Sequence, residues 1–230
     1  MLAALITGCA TTAPPPGQRD PTDPWEPFNR NMYQFNRTLD SAIFKPIAQG
    51  YDVIVPDPVE DKITNFFVNL RSLQTIINLA LQGRAADTGR MVERFFLNTV
   101  FGLAGFFDVA SMSGLPAFDE DFGQTMAVWG WSDSRYLVLP LLGPSTVRDG
   151  LGRPIDTYSD VIWREAVDGR GYGIAIDLIQ MRANLLPLEE QLEDAFDEYL
   201  FVRDAWLQNR NFKISGESET PDYDDFLDDQ

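Results

Sequence analysis

Between Arg94 and Asp108 the chain carries Phe95, Phe96, Leu97, Val100, Phe101, Leu103, Ala104, Phe106 and Phe107, interrupted only by Asn98, Thr99, Gly102 and Gly105. No other stretch limits the fold so tightly. A helix needs about 20 apolar residues to cross the hydrocarbon of a bilayer, and this run falls short. Two readings satisfy it: a helix buried in a protein core, or a segment immersed in one leaflet with its side chains against lipid. The chain has a single cysteine, so no intramolecular disulfide can form and packing must hold either arrangement.

The rest of the body reads as mainly helical. Asp23-Pro24-Trp25-Glu26 combines a capping residue, a proline at the first helical position and a glutamate three residues after the cap. Phe28, Met32, Phe35 and Leu39 then share one face, expected to be a core face, with Asn29, Arg30, Asn36 and Arg37 elsewhere on the cylinder. Asp57-Pro58-Val59-Glu60 repeats the start signal, and Val59, Ile63, Phe66 with Phe67, and Leu70 form a second stripe that includes Asn65 and Asn69 between its members. A nearly apolar segment from Leu73 to Leu81, holding Asn78, precedes a break at Gly83 to Gly89. A third helix from about Arg90 leads into the aromatic run.

Beyond it, Gly114 to Phe118 reads as a loop, Asp121 to Val128 as a short helix, and Trp129 to Ser134 as a polar turn rimmed by tryptophans. Tyr136 to Leu142 contains Pro140 and suits an extended segment. Gly143-Pro144-Ser145 is expected to open a short helix, followed by a loop-rich region with Tyr158 and Trp163 as far as Gly173. Ile174 to Leu185 reads as helix, and a last helix starts near Pro187 with Leu188, Leu192, Phe196 and Tyr199 on one stripe. From residue 213 to residue 230 the tail is acidic and expected to be disordered.

Composition narrows the function. The chain has 18 basic against 35 acidic side chains, net −17, which argues against nucleic acid and against electrostatic docking on anionic lipid. Histidine is absent, which removes the usual general base, the Ser-His-Asp and Cys-His arrangements and most zinc sites. No Gly-x-Ser-x-Gly elbow occurs, so a lipid hydrolase is the poorest reading. We expect no enzymatic activity, no cofactor and no metal.

Ile6-Thr7-Gly8-Cys9, after a small apolar lead, has the pattern of a bacterial lipobox, in which the cysteine is acylated and becomes a lipid-bearing N-terminus. Residues 1–8 are then a signal peptide whose start is expected upstream of Met1. Residues 9–22, rich in Thr, Pro and Gly, are a lipidated flexible tether. Residues 23–212 form the folded domain.

Several blocks resemble one family. Asp-Pro-Trp-Glu-Pro-Phe-Asn-Arg (Asp23 to Arg30), Phe35-Asn36, Leu39-Asp40, Lys45-Pro46, Asn65-Phe66-Phe67, Asn69-Leu70, Leu81-Gln82-Gly83, Arg94-Phe95-Phe96-Leu97-Asn98-Thr99, Phe122-Gly123-Gln124-Thr125, and Leu139 to Ser145 with Arg148-Asp149 resemble the MlaA (VacJ) family of outer-membrane lipoproteins. The resemblance implies a ring-shaped helical domain embedded in the inner leaflet of the outer membrane, with a short extended hairpin and a central amphipathic pore. It implies retrograde phospholipid transport: mislocalised phospholipid is taken from the outer leaflet and passed to a periplasmic carrier, MlaC, with a trimeric porin as membrane partner. The alternative is a porin-associated or envelope scaffold without transport. A headgroup crossing hydrocarbon needs polar groups in place of water. Candidate lining residues are Asn29, Asn36, Asn65, Asn69, Asn78 and Asn98, with Arg30 and Arg94 for the phosphate; capping or backbone bonding is the plainer role for such residues. A glycine-rich hinge loop of the family matches Trp129, Gly130, Trp131 and Ser132, where Ser132, Ser134 and Arg135 replace two glycines and a proline and leave Gly130 as the loop's glycine.

Overall fold

The computed structural model describes residues 20–168 and 172–215. The acylation position Cys9, the leader, the tether through residue 19 and the tail from residue 216 lie outside the described residues. Helices dominate, with one antiparallel hairpin.

Helix α1 (Glu26–Leu39) begins later than its start signal: Trp25 is the N-cap, and no side chain caps it. Asp23 is instead buried, its carboxylate accepting from the Asn29 amide at 2.7 Å and the Tyr199 hydroxyl at 2.5 Å. One π-helical turn (Asp40–Phe44) joins α1 to α2 (Lys45–Ile54). Pro46 has no N–H for the ordinary ladder, and Lys45 donates to the Asp40 carbonyl five residues back.

Helix α3 (Asp57–Leu81) runs unbroken through both the second stripe and the apolar segment after it, since no glycine or proline interrupts residues 59–81. Its N-cap is Pro56, so Asp57 and Glu60 act as first-turn acids on the helix dipole rather than as caps. Helix α4 (Ala85–Val100) packs antiparallel along it and ends inside the aromatic run. The turn that follows, residues 101–107, is backbone-driven. Leu103 and Ala104 adopt left-handed φ of 52° and 59°, and Gly105 sits at 100°. A Cβ on Gly105 would fall inside the Asn69 side chain, and one on Gly102 would strike the Phe107 and Asn98 carbonyls, so both glycines are required. Asn69 donates to Thr99 Oγ1 and the Ala104 carbonyl, fastening this turn to α3. Phe106 stacks on Phe66 at 5.1 Å between centroids.

Short helices α5 (Val109–Met112) and α6 (Phe122–Val128) follow. The short helix expected from Asp121 is present, and Asp121 caps it with a reciprocal capping box to Gln124. Gly130, at φ 113°, ends α6: its N–H donates to Ala127 and that of Trp131 to Met126, a Schellman-type stop that favours glycine.

Strands β1 (Tyr136–Leu139) and β2 (Gly143–Thr146) pair from Tyr136↔Thr146 to Leu139↔Gly143. The short helix expected at Gly143-Pro144-Ser145 is therefore wrong. In a two-stranded hairpin both strands are edges, which is where proline is tolerated. The loop-rich region expected before Gly173 is also wrong: α7 (Val147–Asp168) is helical through Gly150, Gly152 and Pro154. Gly152 serves contact rather than flexibility. A Cβ on Gly152 would lie 3.0 Å from the Gly123 backbone nitrogen, so α7 can approach α6 only without one.

Helix α8 (Tyr172–Ala183) packs on α2, and the last expected helix is broken. A 3₁₀ turn (Leu186–Leu188) and α9 (Glu189–Glu193) precede α10 (Glu198–Ser215). Leu188 and Phe196 are accordingly exposed while Tyr199 is buried, because a stripe read across a break shares no face. Tyr136, Val138 and Tyr199 form the apolar core cluster, joined by Met32, Tyr33, Trp206 and Leu207. The core is where the hairpin, α1 and α10 meet.

Candidate functional site

Burial in this molecule is inverted. Among the described residues, polar and charged side chains outnumber apolar ones in the buried set, which includes Asn29, Asn69, Asn78, Arg94, Asn98, Gln124, Arg148, Asp149 and Arg210. The large apolar side chains point outward: Phe101 is 64% exposed, Leu103 66% and Met112 86%. Scattered exposed apolar residues are ordinary, but a contiguous set around a polar interior belongs to a surface covered by another apolar phase. Two members of the α1 stripe follow this rule against expectation, while Met32 packs on the core cluster. Phe28 and Phe35 are each 49% exposed, and Asn29 is the residue that α1 buries. Of the two readings of the aromatic run, the outward-facing one fits. Among the described residues no helix is long and apolar enough to cross a membrane.

Most of the expected lining residues spend their polar atoms inside the protein. Asn29 donates to Asp23 and to the Tyr136 carbonyl and accepts from the Val138 N–H, while Asn36 makes the same two-way clamp on Leu139 and Leu141. The two amides fasten the hairpin to α1. Asn78 accepts from Thr125 Oγ1 at 2.7 Å and donates to the Gln74 and Glu120 carbonyls. Asn98 bonds Asp108 and the Ala110 N–H. Arg30 is neutralised by Glu26 and, through two bonds, by Asp197, and Arg94 by Asp108 at 2.5 Å. Asn69 has its carbonyl oxygen buried without a partner. The Asn65 side chain carries no hydrogen bond among the described residues.

Gly130 belongs to the stop of α6, Trp129 Nε1 donates to the Leu81 carbonyl at 3.0 Å, and Trp131 and Ser132 are held through their carbonyls by the buried Arg148 guanidinium at 2.9 and 3.0 Å. Arg148 fixes the expected hinge loop to the body.

Arg148 also belongs to a charged node that the sequence reading did not assemble. Arg210, from α10, donates to both oxygens of Asp121 at 2.6 and 2.7 Å, to both of Asp149 at 2.8 and 3.0 Å, and to Gln124 Oε1. Arg148 Nε completes it on Asp149. Burial pushes the Asp149 carboxyl up, but Arg210 and Arg148 outweigh it and hold it below the usual carboxylate range. Gly123 makes the geometry possible, since a Cβ there would meet Arg210 Nη2 at 2.6 Å. Asp149 and Arg210 lie 61 residues apart and share no local pattern.

Beside this node a cavity of about 400 Å³ is lined by Arg153, Asp156, Met181, Trp206, Asn209 and Lys213 with the node's own residues. Asp156 accepts from the Phe122 N–H at 3.1 and 3.2 Å, and burial, with Asp121 beside it, pushes its carboxyl from 3.8 up to about 6. A carboxyl raised in the folded state binds its proton more tightly there than in the unfolded chain. Stability therefore falls as pH rises from about 3.8 through about 6, and the penalty is complete above that. Asp149 runs the other way, its contribution present above its ordinary pKa and lost as pH falls below it. Asp156→Asn should raise the melting midpoint at about pH 7.5 by roughly 2–4 °C, corresponding to about 1 kcal/mol after solvent screening, and give no gain near pH 4. Thermal melts at the two pH values check this; an equal gain at both would assign the effect to packing.

A sequence model of the family described as MlaA lipoprotein matches residues 21–213. The intermembrane phospholipid transport system lipoprotein MlaA of Escherichia coli is 34% identical over 221 residues, covering 92% of this chain and 85% of that protein. The Haemophilus influenzae protein of the same name is 33% identical, covering 93% and 87%. A solved structure described as the structural basis for maintenance of bacterial outer membrane lipid asymmetry superposes with a TM-score of 0.72 at 32% identity, over 85% of this chain and 100% of that one.

Proposed function

This chain belongs to the MlaA lipoprotein family, and on that footing we propose that it removes mislocalised phospholipid from the outer leaflet and hands it to a periplasmic carrier of the MlaC kind. Membership carries with it association with the bacterial envelope and a part in maintaining outer-membrane lipid asymmetry. The finer reading is a non-enzymatic conduit, anchored through acylated Cys9, lying ring-like in the inner leaflet beside a trimeric porin and opening to the periplasm. The single observation that supports it best is the inverted burial. A perimeter of exposed Phe96, Phe101, Leu103, Phe106 and Phe107 is stable against acyl chains, and a hydrogen-bonded polar interior offers a headgroup what it loses on leaving water. The acidic balance of the chain suits the side facing away from anionic headgroups.

The test is made in cells lacking the gene and complemented with the wild-type chain or Cys9→Ser. Surface-exposed phospholipid, read by its accessibility to an added phospholipase, should rise on deletion, return to normal with the wild type and stay high with Cys9→Ser. A deletion that alters porin abundance while leaving the outer leaflet free of phospholipid would replace transport by a scaffold role.

A further inference from the structure

A different cavity, also of about 400 Å³, lies where the loop after α6, the end of β2, the start of α7 and one side of α10 meet. Its floor is buried: Thr146 is 3% exposed and Arg148 2%. Around that floor stand Ser132 and Ser134 from the loop, and Gln208 and Asn211, three residues apart on one side of α10.

These groups hold hydrogen-bonding capacity that the protein does not use. Arg148 spends Nε on Asp149 and Nη1 on the Trp131 and Ser132 carbonyls, which leaves Nη2 without a partner among the described residues. Ser134 Oγ accepts from the Arg148 N–H and Thr146 Oγ1 from the Asp149 N–H, so each hydroxyl keeps its own hydrogen to give. The side chains of Ser132, Gln208 and Asn211 make no hydrogen bond among the described residues.

Charge, by contrast, is spent. Arg148 is answered by Asp149 at 3.0 Å, Arg210 by Asp121 at 2.6 Å and Asp149 at 2.8 Å, and Asp204 by Arg203 at 2.8 Å. Asp133, the remaining charge in the lining, lies 3.8 Å from Arg135. With every charge of the lining matched within 4.0 Å, a free ion finds no unmatched partner and sets its own charge beside one of like sign. A hydroxyl group carries no charge, and it donates and accepts at once. That is what unspent N–H, O–H and amide groups around one space require.

We infer that this cavity binds a neutral polyol, a chemistry presented by a sugar ring or by the glycerol end of a lipid headgroup; the inference stands whether or not the chain moves phospholipid. Its volume lies at the small end of the range for ligand sites, about 300–1,000 Å³. Leu207, packed on the core cluster, adds apolar surface for the C–H face of such a ligand.

The full chain is purified in lauryldimethylamine oxide, a detergent without sugar, and probed by saturation-transfer NMR with methyl β-D-glucopyranoside and with glycerophosphoglycerol. Wild type should transfer signal to a polyol: binding of the glucoside assigns the source to a glycan, and binding of glycerophosphoglycerol alone to a lipid headgroup. Gln208→Ala combined with Asn211→Ala should weaken that binding about tenfold, the worth of two neutral hydrogen bonds. Both side chains are exposed and unbonded, so the melting midpoint of the double variant should stay within about 1 °C of wild type, which separates loss of the site from loss of the fold. Ser132→Ala should give a smaller loss in the same direction. Inorganic phosphate at the same concentration should leave the polyol signal unchanged; displacement by phosphate would make this an anion site and overturn the inference. A polyol signal that survives the double substitution at full strength, or no signal from either probe, overturns it as well. None of these results bears on transport, which surface-exposed phospholipid decides.

Discussion

Arg210→Met should lower the melting midpoint of the detergent-solubilised protein by roughly 6–20 °C, from a loss of about 3–5 kcal/mol spread over a domain of this size. Methionine keeps most of the buried stem and removes the charge. Asp121 and Asp149 then face each other across α6 and α7 with no cation between them; Asp149 is 7% exposed and has only Arg148 left. The node joins α10 to both the cap of α6 and the first turn of α7, so its loss should free the C-terminal part of α10 from those two helices while Tyr199 still holds its start in the core. Neutralising all three, with Asp121→Asn and Asp149→Asn added to Arg210→Met, should recover much of the loss, since the penalty comes from stranded carboxylates more than from the absent attraction. A shift of under about 2 °C for Arg210→Met would mean that the buried ion cluster contributes little to stability.

Asn29→Leu should cost about 3 kcal/mol or more. The substitution is close in volume, so the loss measures polar bonding: the Val138 N–H and the Tyr136 carbonyl lose their side-chain partner in a buried setting, and the Asp23 carboxylate keeps Tyr199 but loses its amide donor. Asn65→Leu is the informative contrast. With no hydrogen bond to give up among the described residues, Asn65 should leave the melting midpoint within about 1 °C of wild type. Equal losses for the two would show that these asparagines act through some property other than the hydrogen bonds described. Among the eight residues picked as lining candidates, Asn65 is therefore the one at which a lipid-transport defect would speak of lipid contact without a stability defect confounding it.

The sequence by itself determined what depends on neighbours along the chain. The Asp121–Gln124 capping box, the stop at Gly130 and the extended Tyr136–Leu139 are local hydrogen-bond chemistry, and each is legible within a few residues. The length of the aromatic run ruled out a spanning helix by the same kind of arithmetic. Two local readings failed where a distant contact intervened: Gly143 to Ser145 became a strand because Tyr136 to Leu139 pairs with it, and α7 runs helical across Gly150 and Gly152 with the hairpin packed against the first glycine and α6 against the second. Only the tertiary structure decided which face of α1 is the inside. A spacing of four, three and four places Phe28, Met32, Phe35 and Leu39 on one face, and it is silent about which of them meet the protein core, as Met32 does, and which turn outward, as Phe28 and Phe35 do. The same holds for the charges. Arg30 and Arg94 were the cations that sequence context marked for a phosphate, and both are paired with carboxylates, because pairing depends on where Asp197 and Asp108 are brought by other elements of the fold.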